Sequence, residues 1–185
     1  MNQNEINTSG KNTLAGDLSK TTTGKTVVLF DDTYYMIENY DAIPPFFMSL
    51  VSSANHWFFI SSNGGLSAGR VNADQALFPY YTEDKITDNN DNTGSKTIIR
   101  VTRGNQVWLW EPFANDQHGL YEIQRNLYKN VSGTVLIFEE INLRLQLKCS
   151  YSWRTSEKFG FIKTSLLEAS KSSRKYVLII RCVDF

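Results

Sequence analysis

Adjacent acids are the first residues here whose types could do chemistry. Glu139 and Glu140 stand side by side, and Glu111 precedes Asp116 in the same half of the chain. Paired carboxyls carry out glycoside hydrolysis: one protonates the leaving oxygen and the other acts from the opposite face of the sugar. Consecutive strand residues point to opposite faces, so Glu139 and Glu140 cannot flank one bond. They are expected instead as solvated or domain-facing charges. The run Trp108-Leu109-Trp110-Glu111 offers a second chemistry. Indole faces stack on apolar pyranose faces and a carboxylate accepts hydroxyl hydrogen bonds, so Trp108, Trp110 and Glu111 form a candidate sugar platform. With Leu109 on the other strand face, the two indoles equally suit a packed core. A third candidate is Asn63-Gly64-Gly65 with Arg70. Glycine permits close backbone approach, and arginine presents a planar fork of donors to hydroxyls or phosphate. A plain hairpin turn with a surface arginine would have the same sequence.

Other chemistries lack their residues. Nucleophilic catalysis finds no convincing triad context, because His56 and His118 are too few and too scattered for a triad or a zinc site. The glycine-rich stretch from Asn63 to Gly69 lacks the Lys-Ser/Thr ending of a phosphate loop. The expectation is therefore no catalytic residue, no metal and no cofactor in this chain. Cys149 and Cys182 both lie in strand-like runs and are expected as buried free thiols of a reducing compartment.

Strands must position these groups. Thr26 to Phe30, Tyr34 to Ile37, Phe46 to Val51 and His56 to Ser61 are β-rich runs, the last followed by a turn at Asn63-Gly64-Gly65. Leu77 to Tyr81 reads as a loop with aromatic anchors, and Asp88 to Gly94 as an exposed loop tip. Thr97 to Thr102 and Gln106 to Trp110 flank Arg103-Gly104-Asn105 as a hairpin. Leu143, Leu145, Leu147, Cys149, Tyr151 and Trp153 alternate with polar residues, which predicts one long strand with a single apolar face. Gly119 to Arg125, Gly133 to Ile141, Phe159 to Leu167 and Lys175 to Asp184 are further strands. Helix is expected only in scraps, for example near Ala73 to Leu77. The fold class is all-β, a large antiparallel β-sandwich over residues 26–185 behind a polar, poorly ordered leader over residues 1–25.

Composition narrows the partners. Nineteen basic residues balance 19 acidic ones among 185, so no basic excess draws the chain to nucleic acid or to an anionic membrane. No apolar run reaches the length of a membrane-spanning helix, and Met1 to Lys25 lacks the apolar stretch of a secretory signal, which points to the cytoplasm. Charge is nonetheless uneven. Acids dominate between Asp31 and Asp91, and bases dominate from Arg144 onward. The chain also stops inside its most apolar run, Tyr176 to Phe185. Together these features suggest a fragment that meets a neighbouring domain or associates with itself.

Several segments carry a resemblance. Phe59 to Leu66 with Ser67-Ala68-Gly69-Arg70, Val107 to Phe113, Tyr121 to Arg125 with Val135 to Ile141, and Ser156 to Thr164 occur in an order similar to the amino-terminal β-supersandwich of glycoside hydrolase family 94, the cellobiose-phosphorylase-like enzymes. The resemblance spans about Asp31 to Phe185. It implies a non-catalytic β-domain of a galactose-mutarotase-like fold, followed in the parent chain by a helical barrel that holds the catalytic acid and the phosphate pocket. The parent chemistry would be inverting phosphorolysis of a β-glucoside, with carbohydrate and inorganic phosphate as partners and a homo-oligomer as the assembly. A loop bearing Asn63, Gly64, Gly65 and Arg70 would then help wall the barrel's sugar pocket. A stand-alone carbohydrate-binding module and a scaffold for protein contacts are the alternatives.

Overall fold

A computed structural model describes residues 20–78, 82–90, 92–94, 96–116 and 119–169. The expected strand at 175–184, Cys182, His118 and most of the leader lie outside them. In chain order the elements are β1 (Thr23–Leu29), β2 (Asp32–Glu38), β3 (Phe47–Ser49), β4 (His56–Ser61), β5 (Leu66–Arg70), β6 (Ala76–Phe78), α1 (Glu83–Asp88), β7 (Ile99–Arg103), β8 (Gln106–Trp110), β9 (Ile123–Asn130), β10 (Val135–Asn142), β11 (Leu147–Ser156) and β12 (Gly160–Ala169). The strands form a six-stranded sheet in the order β1-β2-β9-β10-β11-β12, a four-stranded sheet β3-β4-β5-β6 and the hairpin β7-β8. Every pairing is antiparallel. The architecture is the expected all-β sandwich.

Side-chain alternation builds the layers. Leu127, Leu136 and Phe138 of the large sheet bury themselves against Met48, Phe58, Ile60, Leu66 and Ala68 of the small one. Phe138 stacks on Tyr151 with centroids 4.8 Å apart, and Phe58 meets Trp153 at 5.0 Å. Burying side chains of this size supplies about 1.5–3 kcal/mol each. A second cluster, with Ile99, Trp110, Leu145, Leu147 and Cys149, fastens the hairpin to the large sheet. Tyr34, Met36, Tyr128 and Val135 form a third, set on the opposite side of the large sheet by the same alternation.

Turn chemistry sets the registers. β1 and β2 pair Leu29 with Asp32, leaving Phe30 and Asp31 at φ of 52° and 62°. Two successive left-handed residues match the twist of a two-residue hairpin. In β7-β8 the turn falls on Gly104-Asn105, with Gly104 at φ 58°.

Several expectations change or sharpen. The alternation from Leu143 to Trp153 is not one strand, because Leu143–Gln146 is the β10–β11 turn. Asn142 Oδ1 accepts from the Leu145 amide at 2.9 Å, and Gln146 takes a φ of 54°. Leu145 still reaches the core, which is why the pattern reads as unbroken. Ala73–Gln75 is a single 3-10 turn, and the α-helix is α1, docked by the buried Ile86. The segment expected as an exposed tip at Asp88 to Gly94 is exposed at Asp88, Asn92 and Gly94, but Thr93 ties it to β5: its Oγ1 accepts from the Leu66 amide at 2.9 Å and donates to Asn89 O at 3.0 Å. Finally, β9 begins at Ile123 and runs on to Asn130, well past the end expected at Arg125. At the other end of the chain β1 starts at Thr23, inside the stretch read as leader, where Lys20 Nζ donates to Ile123 O at 2.7 Å.

Candidate functional site

The register of β9 against β10 places Arg125 opposite Glu140. Glu140 shares the inner face with Leu136 and Phe138, so alternation carries it into the core. The two residues are 3% and 1% exposed. Arg125 Nε donates to Glu140 Oε2 at 2.8 Å, Trp110 Nε1 to Oε1 at 2.8 Å, and the Phe113 amide to Oε2 at 2.7 Å. Arg125 Nη2 reaches Ala114 O at 2.8 Å. Burial works against the guanidinium charge, yet Tyr40, Glu140 and Asp41 together hold Arg125 above its ordinary range. The network pins the chain after β8 onto the large sheet.

Glu140 is thus no solvated charge, contrary to the sequence expectation. Its neighbour Glu139 lies on the outer face, where it accepts from Asn126 Nδ2 and Tyr128 Oη at 2.9 Å each. The opposite-face argument holds for the pair. Trp110 is 1% exposed with its indole N–H spent on Glu140, so it presents no face to a sugar. Trp108 is half-buried against the cluster of Ile99 and Leu147. Both indoles follow the core alternative.

Asn63, Gly64 and Gly65 make the β4–β5 turn. Ser61 Oγ donates to Asn63 Oδ1, and Asn63 Nδ2 donates to Thr87 O at 3.0 Å. A Cβ on Gly65 would lie 1.8 Å from Ile86 O, so the glycine lets α1 pack directly on the turn. Arg70 is exposed at the far end of β5, about 17 Å along the strand from Gly65 at about 3.3 Å per residue. The turn and the arginine therefore do not converge. Glu111 does approach the turn: it pairs with Lys96 at 3.3 Å and lines, with Asn63 and Gly64, a cavity of about 80 Å³. Lys163 Nζ sits 4.5 Å from the Tyr151 ring centroid at the same cavity. A volume of this size suits a few waters rather than a sugar ring.

A larger opening adjoins it. A cleft of about 720 Å³ lies between the segment Tyr40–Pro45, the residues Ser62 and Asn63, the end of α1 through Asn90, and the loop at Asn115 and Asp116, with Arg125 among its lining residues. That volume falls within the range of small-molecule sites. Asp41 lines it with a side chain only 8% exposed. One carboxylate oxygen, Oδ2, stands 3.6 Å from Lys20 Nζ; the other, Oδ1, is buried without a hydrogen-bond partner. Buried polar atoms are rarely left so, and each exception calls for an explanation. Sequence reasoning missed Asp41 and Arg125. The only local sign was an acid beside Tyr40 and ahead of Pro44-Pro45, which fix the backbone that follows.

Among the described residues no group of three His, Cys, Asp or Glu side chains could hold a metal ion, and no helix is long and apolar enough to cross a membrane. Cys149 is a buried free thiol, pushed up to about 12 by burial and then by the charge of Glu140. No family model matches the sequence, and no curated protein matches it.

Proposed function

We propose that this chain is a carbohydrate-binding β-sandwich that supports glycoside chemistry without performing it, as the β-domain of a larger cytoplasmic enzyme resembling cellobiose phosphorylase. The observation that carries the binding half is the cleft of about 720 Å³, whose wall is largely apolar along Ala42–Pro45 and elsewhere carries carboxylates, carboxamides and Ser62. Planar groups of this kind are what sugar hydroxyls recognise, each accepting or donating along fixed directions. One further feature supports the non-catalytic half and another the compartment. The adjacent carboxylates Glu139 and Glu140 open on opposite faces, and Glu140 is consumed by Arg125, Trp110 and Phe113. The free thiol Cys149 fits a reducing compartment. The catalytic acid, the inorganic phosphate site and the helical-barrel partner belong to this reading through the resemblance.

Calorimetric titration of the 185-residue protein with neutral oligosaccharides tests the binding half, and at least one should bind. Incubation with cellobiose and phosphate tests the other half and should release no glucose 1-phosphate. Release that disappears on mutating a carboxylate of this chain would overturn the non-catalytic assignment. Binding of none of the saccharides would overturn the carbohydrate assignment.

A further inference from the structure

Building on the sugar-binding reading, we propose that the cleft beside Asp41 and Arg125 holds a neutral, hydroxyl-rich ring anchored on Asp41, and that it rejects phosphorylated sugars. Asp41 Oδ1 is an acceptor removed from water with nothing donating to it. A carboxylate oxygen in that state costs free energy until a donor arrives, since burying an unpaired polar atom forfeits its hydration. Oδ1 is closed to water as the side chain stands, so a ring hydroxyl reaches it only as the segment Tyr40–Pro45 yields, and then supplies that donor without adding charge.

The other lining groups favour the same class. Arg125 is the one cation among the described residues that line the cleft, and three of its five N–H groups are held inside the protein: Nε by Glu140, Nη2 by Ala114 O and Nη1 by Asn115 Oδ1 at 3.4 Å, with the Glu140 carboxylate offsetting its charge. Asp41, Asp88 and Asp116 all line the cleft, so an incoming phosphate would face three carboxylates. Like charges at close range raise the cost of binding in the low-dielectric wall of a cleft. Carboxylates only accept, so the ligand they select must be rich in donors. Ser62 Oγ accepts from the Phe46 amide at 3.1 Å, which leaves its own O–H to donate to a ring oxygen. The Tyr40 hydroxyl is held protonated by burial, so it adds no charge beside the anchor.

The test uses the full chain with cellobiose, maltose and lactose as neutral probes, and glucose 1-phosphate against glucose as the charged comparison. Asp41→Asn should weaken the best neutral disaccharide at least tenfold while leaving the thermal midpoint nearly unchanged, and glucose 1-phosphate should bind at least tenfold more weakly than glucose. Unchanged disaccharide binding by Asp41→Asn, or glucose 1-phosphate binding as tightly as glucose, overturns this inference and leaves the sugar-binding reading standing. Glucosamine bound far more tightly than glucose also overturns it, because the anchor would then be reading an ammonium. Failure of every saccharide to bind removes the underlying reading as well. Should Asp41→Asn fail to fold, amide shifts of Ser62, Asn63 and Asn90 in the wild-type protein on disaccharide titration decide: movement there supports the placement, and movement elsewhere overturns it.

Discussion

Two buried carboxylates in this molecule are treated in opposite ways. Glu140 lies between the sheets with three donors on its two oxygens. Asp41 lies at the cleft wall with a loose ion pair on one oxygen and no donor on the other. Both sit near Arg125, and both contribute to its raised pKa. The difference is closure. A satisfied network fixes one arrangement of the chain after β8, whereas an open acceptor costs stability and keeps a bond in reserve for a ligand.

Removing Glu140 gives the largest effect. Glu140→Ala leaves the buried Arg125 guanidinium, the Trp110 N–H and the Phe113 amide without their acceptor, and deleting one partner of a buried ion pair costs about 3–5 kcal/mol. Urea unfolding should show a loss of that size. Asp41→Ala should cost far less, since little is lost when an acceptor already lacks a donor. Equal losses would break the comparison.

Glu140 also reaches across the sheet. Cys149 is its register partner on β11, and burial together with the Glu140 charge places the thiol at about 12. An ordinary thiol ionises near 9. The folded value lies above the unfolded one, so this contribution to stability is complete below about pH 9 and is lost as pH rises toward 12. A disulfide-exchange reagent at pH 8 should leave Cys149 untouched in the folded chain and modify it in urea, as its buried site also dictates. Fast modification without denaturant would show the inner face to be open. Glu140→Gln should shift Cys149 reactivity downward in pH.

The third effect concerns the cleft rim. Gly65→Ala drives a methyl into Ile86 O and must push α1 off the turn, a change of the kind that costs about 1–3 kcal/mol. Because Asn63 and Thr87 both line the cleft, saccharide binding should weaken in the same variant. Loss of stability with binding intact would separate the rim from the site.

How far the sequence revealed this molecule depends on the range of the contacts. His56–Ser61 and Gln106–Trp110 emerged at their true bounds, and β7 within two residues of the expected Thr97 to Thr102, because their signals are local: a β-rich run, a glycine turn and alternation. The Leu143–Gln146 turn escaped because Leu145 keeps the apolar parity while the backbone reverses around Asn142. Of the site residues named from sequence, Asn63 and Gly64 reach a cavity with Glu111, whereas Trp108 and Trp110 pack in the core and Arg70 stands apart. The cleft was invisible because its walls come from separated segments, Tyr40 to Pro45, Asn63, Asn90, Asn115 and Arg125, that only the sheet registers bring together.

The smallest effect belongs to the outer face. Burial opposes the charge of Lys148, but its bond to Glu168 at 2.7 Å and the nearby Glu139 at 3.6 Å raise its pKa overall. The three side chains keep partial contact with water, and exposed pairs of this kind give about 0–1 kcal/mol, screened further by salt. Lys148→Met should therefore shift the unfolding midpoint only slightly, and high salt should erase most of the shift. The Glu140→Ala loss should survive the same salt, because ions do not enter the space between the sheets. If Lys148→Met proved as costly as Glu140→Ala and equally resistant to salt, closure against water would not be what separates the two faces of β10, and Asp41 would lose its standing as the one of the two acids left open for a ligand.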